Sequence, residues 1–156
     1  MKITWNELTV KFQLEKRDLL SDWRWLIGET AQPILIAAVG DVFLQEKDSS
    51  IWWLDVGGGQ YSKVSSSVDE FKQAMSMNVN EWFLPQLVGD LLASGAKLGS
   101  NKCFSFKIPP VLGGEYTLEN FEPIDLYVHF SILGQIHAQV KDLPTGTPIN
   151  SIKIVE

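Results

Sequence analysis

A helical repeat of apolar residues places the strongest limit on how this chain can fold. Between Leu126 and Lys141 the apolar side chains recur about every four residues, the spacing of one face of an α-helix; they are Val128, Ile132, Leu133, Ile136 and Val140. Asp125 precedes the repeat and can cap the helix with its side chain. The β-rich run Leu126–Leu133 also fits a strand, but the spacing continues beyond it, and Gly134 costs a helix only about 1 kcal/mol. We therefore predict one long helix.

Three β-rich runs in the first half of the chain predict an antiparallel meander. They span Ile34–Val39, Val42–Glu46 and Ile51–Val56, with turn-forming residues between them. The three glycines Gly57–Gly59 then permit a tight reversal into a fourth strand, Tyr61–Val64. The sequence therefore predicts an α+β fold, in which a small, mainly antiparallel sheet is packed with several helices in a single domain over residues 1–156.

Capping patterns and apolar spacing predict four further helices. They run from Thr4 to about Phe12, from Lys16 to Ile27, from Ser67 to about Met75 and from about Glu81 to Ser94. Thr4 and Ser67 each precede a glutamate by three residues, the form of a capping box. The alternating run Lys102–Ile108 predicts a strand, and Ile149–Val155 is a candidate edge strand.

Length and composition indicate a globular protein. The chain has 156 residues, of which 45% are hydrophobic and 21% charged, and a chain of this size can bury a core. No apolar run reaches the roughly 20 residues that span a bilayer, and the N-terminal sequence lacks the apolar region of a signal peptide. We therefore expect a cytoplasmic protein without a membrane partner. The net charge of −6 opposes binding to nucleic acid and favours a basic partner.

No set of residues completes a catalytic or metal-binding motif. The run Gly57–Gly59 lacks the Gly-Lys-Ser/Thr ending of a phosphate loop. His129 and His137 are eight residues apart, too far for a compact pair of metal ligands on a helix. Cys103 is the only cysteine and sits in an alternating apolar segment, so it is expected to pack as a small hydrophobe. The sequence therefore predicts no catalytic residue, no cofactor and no metal.

A family resemblance rests on the second half of the chain. It is carried by I-P-P-V-L-G-G-E and E-N-F-E-P-I-D-L-Y-V-H-F-S-I-L-G-Q-I-H, together with the upstream D-E-F-K-Q-A-M and N-E-W-F-L-P-Q-L. These segments resemble the C-terminal domain of immunity proteins against type VI secreted DNase effectors, over roughly Phe43 to Ile149. The resemblance implies a bacterial cytoplasmic immunity-like protein that neutralises a cognate secreted toxin by stoichiometric binding.

The same resemblance directs attention to the segment from Leu112 to Glu122. We predict that Leu112, Gly113 and Gly114 fix the shape of a recognition surface there, although their backbone N–H groups could also bind an anion. The predicted rim is acidic or polar and consists of Glu115, Glu119, Asn120 and Glu122, with His129 as a further candidate for partner binding. An acidic protein without a catalytic motif is suited to inhibit a basic toxin or effector by binding it.

Two other classes of function remain open on the sequence alone. One is a small-molecule or nucleotide-binding regulatory domain that uses the two glycine-rich turns and His129. It predicts thermal stabilisation by a ligand without a protein partner. The other is a hydrolase centred on His129 or His137, which requires measurable turnover that is lost when either histidine is replaced by alanine.

Overall fold

An antiparallel meander forms the larger of two sheets in the structure, a computed structural model that describes residues 2–156. Its strands pair in the order of the chain and are β1 (Gln32–Ile36), β2 (Val42–Gln45), β3 (Ile51–Asp55) and β4 (Gln60–Ser65). The predicted meander is confirmed, with β1 displaced by two to three residues toward the N-terminus. Its fully buried members include Ile36, Phe43, Leu44 and Leu54, which lie in the main hydrophobic core.

A second, two-stranded sheet pairs β5 (Lys102–Phe106) with β6 (Phe121–Asp125) in antiparallel fashion. Strand β5 matches the predicted strand, but β6 is absent from the sequence-based prediction. Pro123 lies in the middle of β6, and proline has no N–H to donate to a ladder. It is accommodated because β6 pairs only with β5, so one edge of β6 needs no strand partner.

Residues 2–156 contain six α-helices. They are α1 (Trp5–Leu8), α2 (Arg24–Ile27), α3 (Val68–Met77), α4 (Val79–Phe83), α5 (Pro85–Ala93) and α6 (Leu126–Val140). The long helix α6 and its cap are confirmed, since the Asp125 carboxylate accepts from the N–H groups of Tyr127 and Val128 at 2.9 and 3.2 Å. The predicted α+β class is confirmed. Among the helices of residues 2–156, none is both long and apolar enough to cross a membrane.

The two N-terminal helices are shorter than predicted. Helix α1 ends at Leu8 because the next residues run along β1, with the Val10 N–H donating to the Ile36 carbonyl at 2.9 Å. The predicted helix Lys16–Ile27 is wrong in its first half, since only a 3₁₀ turn, Ser21–Trp23, and α2 are helical. Asp18 accepts from the Leu20 N–H and pairs with Arg24, so the helical part begins beyond it.

The single helix predicted for Glu81–Ser94 is also wrong, because α4 and α5 meet at an elbow. Leu84 adopts the left-handed conformation, with φ 46° and ψ 58°, and Pro85 is the first residue of α5. Proline disfavours the right-handed helical conformation in the residue before it and cannot donate to the preceding turn. The chain therefore changes direction at Leu84 instead of continuing one helix.

The predicted edge strand Ile149–Val155 is wrong as well. Residues 149–155 form no strand and hydrogen-bond to side chains of α6 instead. The Gln139 amide donates to the Lys153 carbonyl at 2.6 Å and accepts from its N–H at 3.0 Å. Gln135 makes the same pair of bonds with Val155, both at 2.6 Å. Gln139 and Gln135, four residues apart on the helix, thus pair with the backbone N–H and carbonyl groups of Lys153 and Val155.

Candidate functional site

The predicted recognition surface lies on the connection between β5 and β6 and on the first two residues of β6. This connection contains a 3₁₀ turn at Pro110–Leu112, then Gly113 with φ +99°, and a second 3₁₀ turn at Leu118–Asn120. A side chain at Gly114 would overlap the Ile108 carbonyl, because the backbone folds back on itself there. The two glycines therefore allow a close turn that residues with a Cβ could not make.

Asn120 holds this connection together from inside. Its side-chain oxygen accepts from the Ile108 N–H at 2.8 Å, and its amide nitrogen donates to the carbonyls of Ile108 and Glu115, both at 2.8 Å. The residue is only 9% exposed. Asn120 is therefore a buried support of the connection and not an exposed member of the predicted rim, since its polar side chain is already fully used within the fold.

The three glutamates of the predicted rim are exposed. We call Glu115, Glu119 and Glu122 the acidic loop face. Three ion pairs form among residues 2–156, and none of them includes a member of this face. The segments 79–95 and 108–125 together contain six carboxylates and no lysine or arginine. Negative charge is therefore concentrated in these two segments, with Lys107 directly before the second of them and its backbone N–H donating to the Asn120 carbonyl at 2.7 Å.

A groove runs between this connection and the elbow at Leu84. Its apolar lining is Leu84, Pro85, Leu87, Tyr116 and Leu118, its polar lining is Asn80, Gln86, Asp90 and Thr117, and its volume is about 490 Å³. Helix α5 forms one wall and the connection forms the other, and the two walls meet where α5 contacts the 3₁₀ turn at Leu118. Sequence reasoning missed the groove because its two walls are about thirty residues apart in the chain. The only local signal was the Tyr-Thr-Leu run between Glu115 and Glu119.

His129 lies inside the protein and away from any surface. It is 1% exposed, its Nε2 lies 2.8 Å from the Gly40 carbonyl, and its Nδ1 lies 2.7 Å from the Ser105 hydroxyl. A carbonyl only accepts, so Nε2 carries the proton and Nδ1 accepts from Ser105. Burial lowers the pKa of His129 to about 4. The imidazole thus connects α6 to the β1–β2 turn and to β5, and a partner on the outer surface does not reach it.

His137 makes a second tie two turns further along α6. Its Nε2 donates to the Val56 carbonyl at 2.9 Å, and burial lowers its pKa. The three glycines of the β3–β4 turn are explained by close neighbours, since a Cβ at Gly57, Gly58 or Gly59 would meet Tyr116, Asp55 or His137 respectively. The Gly58 N–H already donates to the Asp55 carboxylate at 3.1 Å, so this N–H is not free to bind a phosphate. No group of potential metal ligands forms within the described residues 2–156 either.

The depressed pKa of His129 predicts a measurable acid sensitivity. The ordinary pKa of 6.5 applies to the unfolded chain, so between pH 6.5 and about 4 only the unfolded state is protonated at this residue. The neutral His129 therefore makes its full contribution to the free energy of unfolding above pH 6.5. Up to about 3 kcal/mol of that contribution is lost as the pH falls toward 4. We expect the free energy of unfolding, measured in urea, to fall between pH 6.5 and 4 by about 3 kcal/mol more in wild type than in His129→Gln.

The comparison is internally controlled. Asp41 titrates with the opposite sign, because burial and the nearby Asp55 raise its pKa to about 8, but it is present in both proteins and cancels in the difference. Ser105→Ala retains the imidazole, so its free energy of unfolding should change with pH as in wild type. An equal dependence of the unfolding free energy on pH in wild type and in His129→Gln would show that His129 is not held neutral.

The comparisons with known proteins bear on the same part of the chain. Residues 65–137 match the family model described as T6SS immunity protein Tdi1, C-terminal. The resemblance predicted from the sequence motifs is thereby confirmed, over a shorter range than Phe43 to Ile149. The match begins at the end of β4, includes the elbow, the acidic loop face and the groove, and ends at His137 on α6. The candidate site therefore lies wholly within the Tdi1-like part.

A solved structure shares the fold. The crystal structure of Atu4351 from Agrobacterium tumefaciens superimposes with a TM-score of 0.55 at 16% sequence identity, covering 75% of this chain. The chain spans 62% of the length of that structure. At this identity the likeness establishes a common fold alone. A comparison with curated proteins found no match.

Proposed function

We propose that this protein is a cytoplasmic immunity protein that neutralises a cognate type VI effector by stoichiometric binding. The observation that carries the proposal is the match of residues 65–137 to the T6SS immunity family Tdi1. That family implies a binding role instead of catalysis. Both histidines are engaged with backbone carbonyls and have lowered pKa values, which favours binding over acid–base chemistry.

The proposed contact surface is the acidic loop face. Its three glutamates are exposed. Glu115 and Glu119 stand on the β5–β6 connection, whose shape is fixed by Gly114 and Asn120, and Glu122 is the second residue of β6. A preformed surface of one sign speeds association with a partner of the opposite sign and discourages partners of the same sign. The expected partner is therefore a basic toxin, such as a nuclease that itself binds DNA, and neither nucleic acid nor a membrane.

Charge reversal tests this proposal. The triple variant Glu115→Lys, Glu119→Lys and Glu122→Lys should weaken effector binding by about tenfold or more, mainly through slower association, and should reduce its salt dependence. The matched control is Glu29→Lys, Asp142→Lys and Glu156→Lys, which reverses three exposed carboxylates elsewhere.

The measurement is pull-down from the host lysate at low and high salt, with identification of the bound protein, followed by binding kinetics with that purified effector. Both triple variants change the net charge equally, so general electrostatics would weaken both alike. Unchanged affinity in the first triple variant, or equal loss in both, contradicts the acidic loop face as the contact. Recovery of the protein alone at both salts contradicts the immunity function itself.

A further inference from the structure

The groove at the elbow has features that the acidic loop face alone does not explain. Tyr116 is 50% exposed and Leu118 is 37% exposed, two large apolar side chains on a short loop beside the apolar Leu84, Pro85 and Leu87. The groove volume of about 490 Å³ falls in the range of roughly 300–1,000 Å³ that ligand pockets occupy. Such a concave apolar surface gains free energy when a partner covers it.

Both walls of the groove are held in place before any partner arrives. Tyr116 packs edge-on against Phe106 with ring centroids 5.3 Å apart, and its hydroxyl lies against Gly57. On the other side, Leu84 keeps a left-handed backbone, which costs a residue with a side chain about 1–3 kcal/mol. A preformed groove binds more tightly because less ordering accompanies association.

Charge around the groove selects its occupant. Asp90 lies in the lining, Glu81 follows the lining residue Asn80, and Glu115 and Glu119 flank the Tyr116–Leu118 run. The residues that line the groove include Asp90 and no lysine or arginine. A phosphate backbone, an anionic lipid surface or the same face of a second copy would be repelled, whereas lysine or arginine beside an apolar side chain would be attracted.

We propose that the groove seats a large apolar side chain, flanked by basic residues, from an exposed segment of the effector. This inference rests on the proposed immunity function and adds the chemistry of the partner's anchor. The acidic rim governs how fast the two proteins meet, and the apolar anchor governs how long they stay together. The two contributions are separable because they affect different rate constants.

Kinetics with the purified effector test the anchor. Leu118→Asn should speed dissociation about tenfold or more while leaving association nearly unchanged, since truncated hot-spot contacts cost more than about 1 kcal/mol. Leu143→Asn is the matched control, because Leu143 is a leucine of similar exposure, 44%, outside the groove. The groove would be excluded as the anchor site if Leu118→Asn dissociated at the wild-type rate while the charge-reversal variant bound more weakly. The immunity function would be unaffected by that result.

A peptide probe tests the groove without the effector. The blocked peptide Lys-Lys-Trp-Lys-Lys should shift the amide resonances of Leu84, Tyr116 and Leu118 in a titration followed by nuclear magnetic resonance. The shifts should disappear with Lys-Lys-Ala-Lys-Lys, with Glu-Glu-Trp-Glu-Glu and in Leu118→Asn. Absent shifts, shifts confined to other surfaces, or equal shifts with the alanine peptide would overturn the proposal even if no effector is recovered.

Discussion

Replacing Gly134 with alanine is expected to lower the free energy of unfolding by about 3 kcal/mol, because the added Cβ would overlap the backbone of a neighbouring turn. Helix α6 crosses the 3₁₀ turn Ser21–Trp23, and a Cβ at Gly134 would be 2.5 Å from the Asp22 carbonyl oxygen and 2.8 Å from its carbon. Alanine favours a helix over glycine by about 1 kcal/mol, which offsets only part of this overlap.

Urea unfolding monitored by tryptophan fluorescence measures the effect, since Trp23 is fully buried in this turn and its ring lies 5.4 Å from that of His137. The control is Gly99→Ala, because nothing lies within 4 Å of a Cβ there and its φ is not in the left-handed region. That variant should stay within about 0.5 kcal/mol of wild type. Equal stability of both variants would contradict the close contact between α6 and the turn.

Asn120→Asp is expected to destabilise the β5–β6 connection by about 3 kcal/mol at neutral pH, although the two side chains have nearly the same shape. The amide nitrogen that donates to the carbonyls of Ile108 and Glu115 becomes an oxygen that can only accept. A buried carboxylate would face two carbonyl oxygens. Effector binding should fall as well, because Asn120 shapes the surface that carries Glu115 and Glu119.

Low pH gives this prediction a distinctive signature. A protonated aspartic acid can donate one of the two lost hydrogen bonds, so the difference from wild type should shrink toward pH 4. Asn150→Asp adds the same charge at an exposed position and should have little effect at either pH. Hydrogen exchange at the Ile108 amide, which donates to Asn120 at 2.8 Å, reports the local change. Unaltered exchange and stability would contradict the supporting role of Asn120.

Local chemistry accounts for the parts of the fold that the sequence predicts well. The caps at Thr4, Ser67 and Asp125 each act through a side chain on an N–H within three residues, so their signal is contained in a few positions. The meander is likewise set by short β-rich runs and by turns between neighbouring strands. The elbow at Leu84 is also local in origin, because Pro85 disfavours the helical conformation in the residue before it, but the apolar spacing from Glu81 to Ser94 by itself predicts one continuous helix.

Contacts distant in sequence account for the rest. Strand β6 exists because β5 offers a partner, and the tail lacks a strand because Gln135 and Gln139 bind its backbone. At the candidate site, the acidic residues could be named from the sequence because charge is a property of single residues. The groove could not be predicted, since it arises only where α5 meets the connection between β5 and β6. The burial of His129 also depends on two distant partners, Gly40 and Ser105.

Titration of the cognate type VI effector with the purified protein tests the central claim most directly, with the effector's toxic activity and complex formation followed in the same samples. Immunity by stoichiometric binding predicts that activity falls linearly with added protein and vanishes at a fixed ratio. The complex should weaken with salt and with reversal of Glu115, Glu119 and Glu122. Full effector activity in a large excess of protein, with no complex even at low salt, would contradict the account.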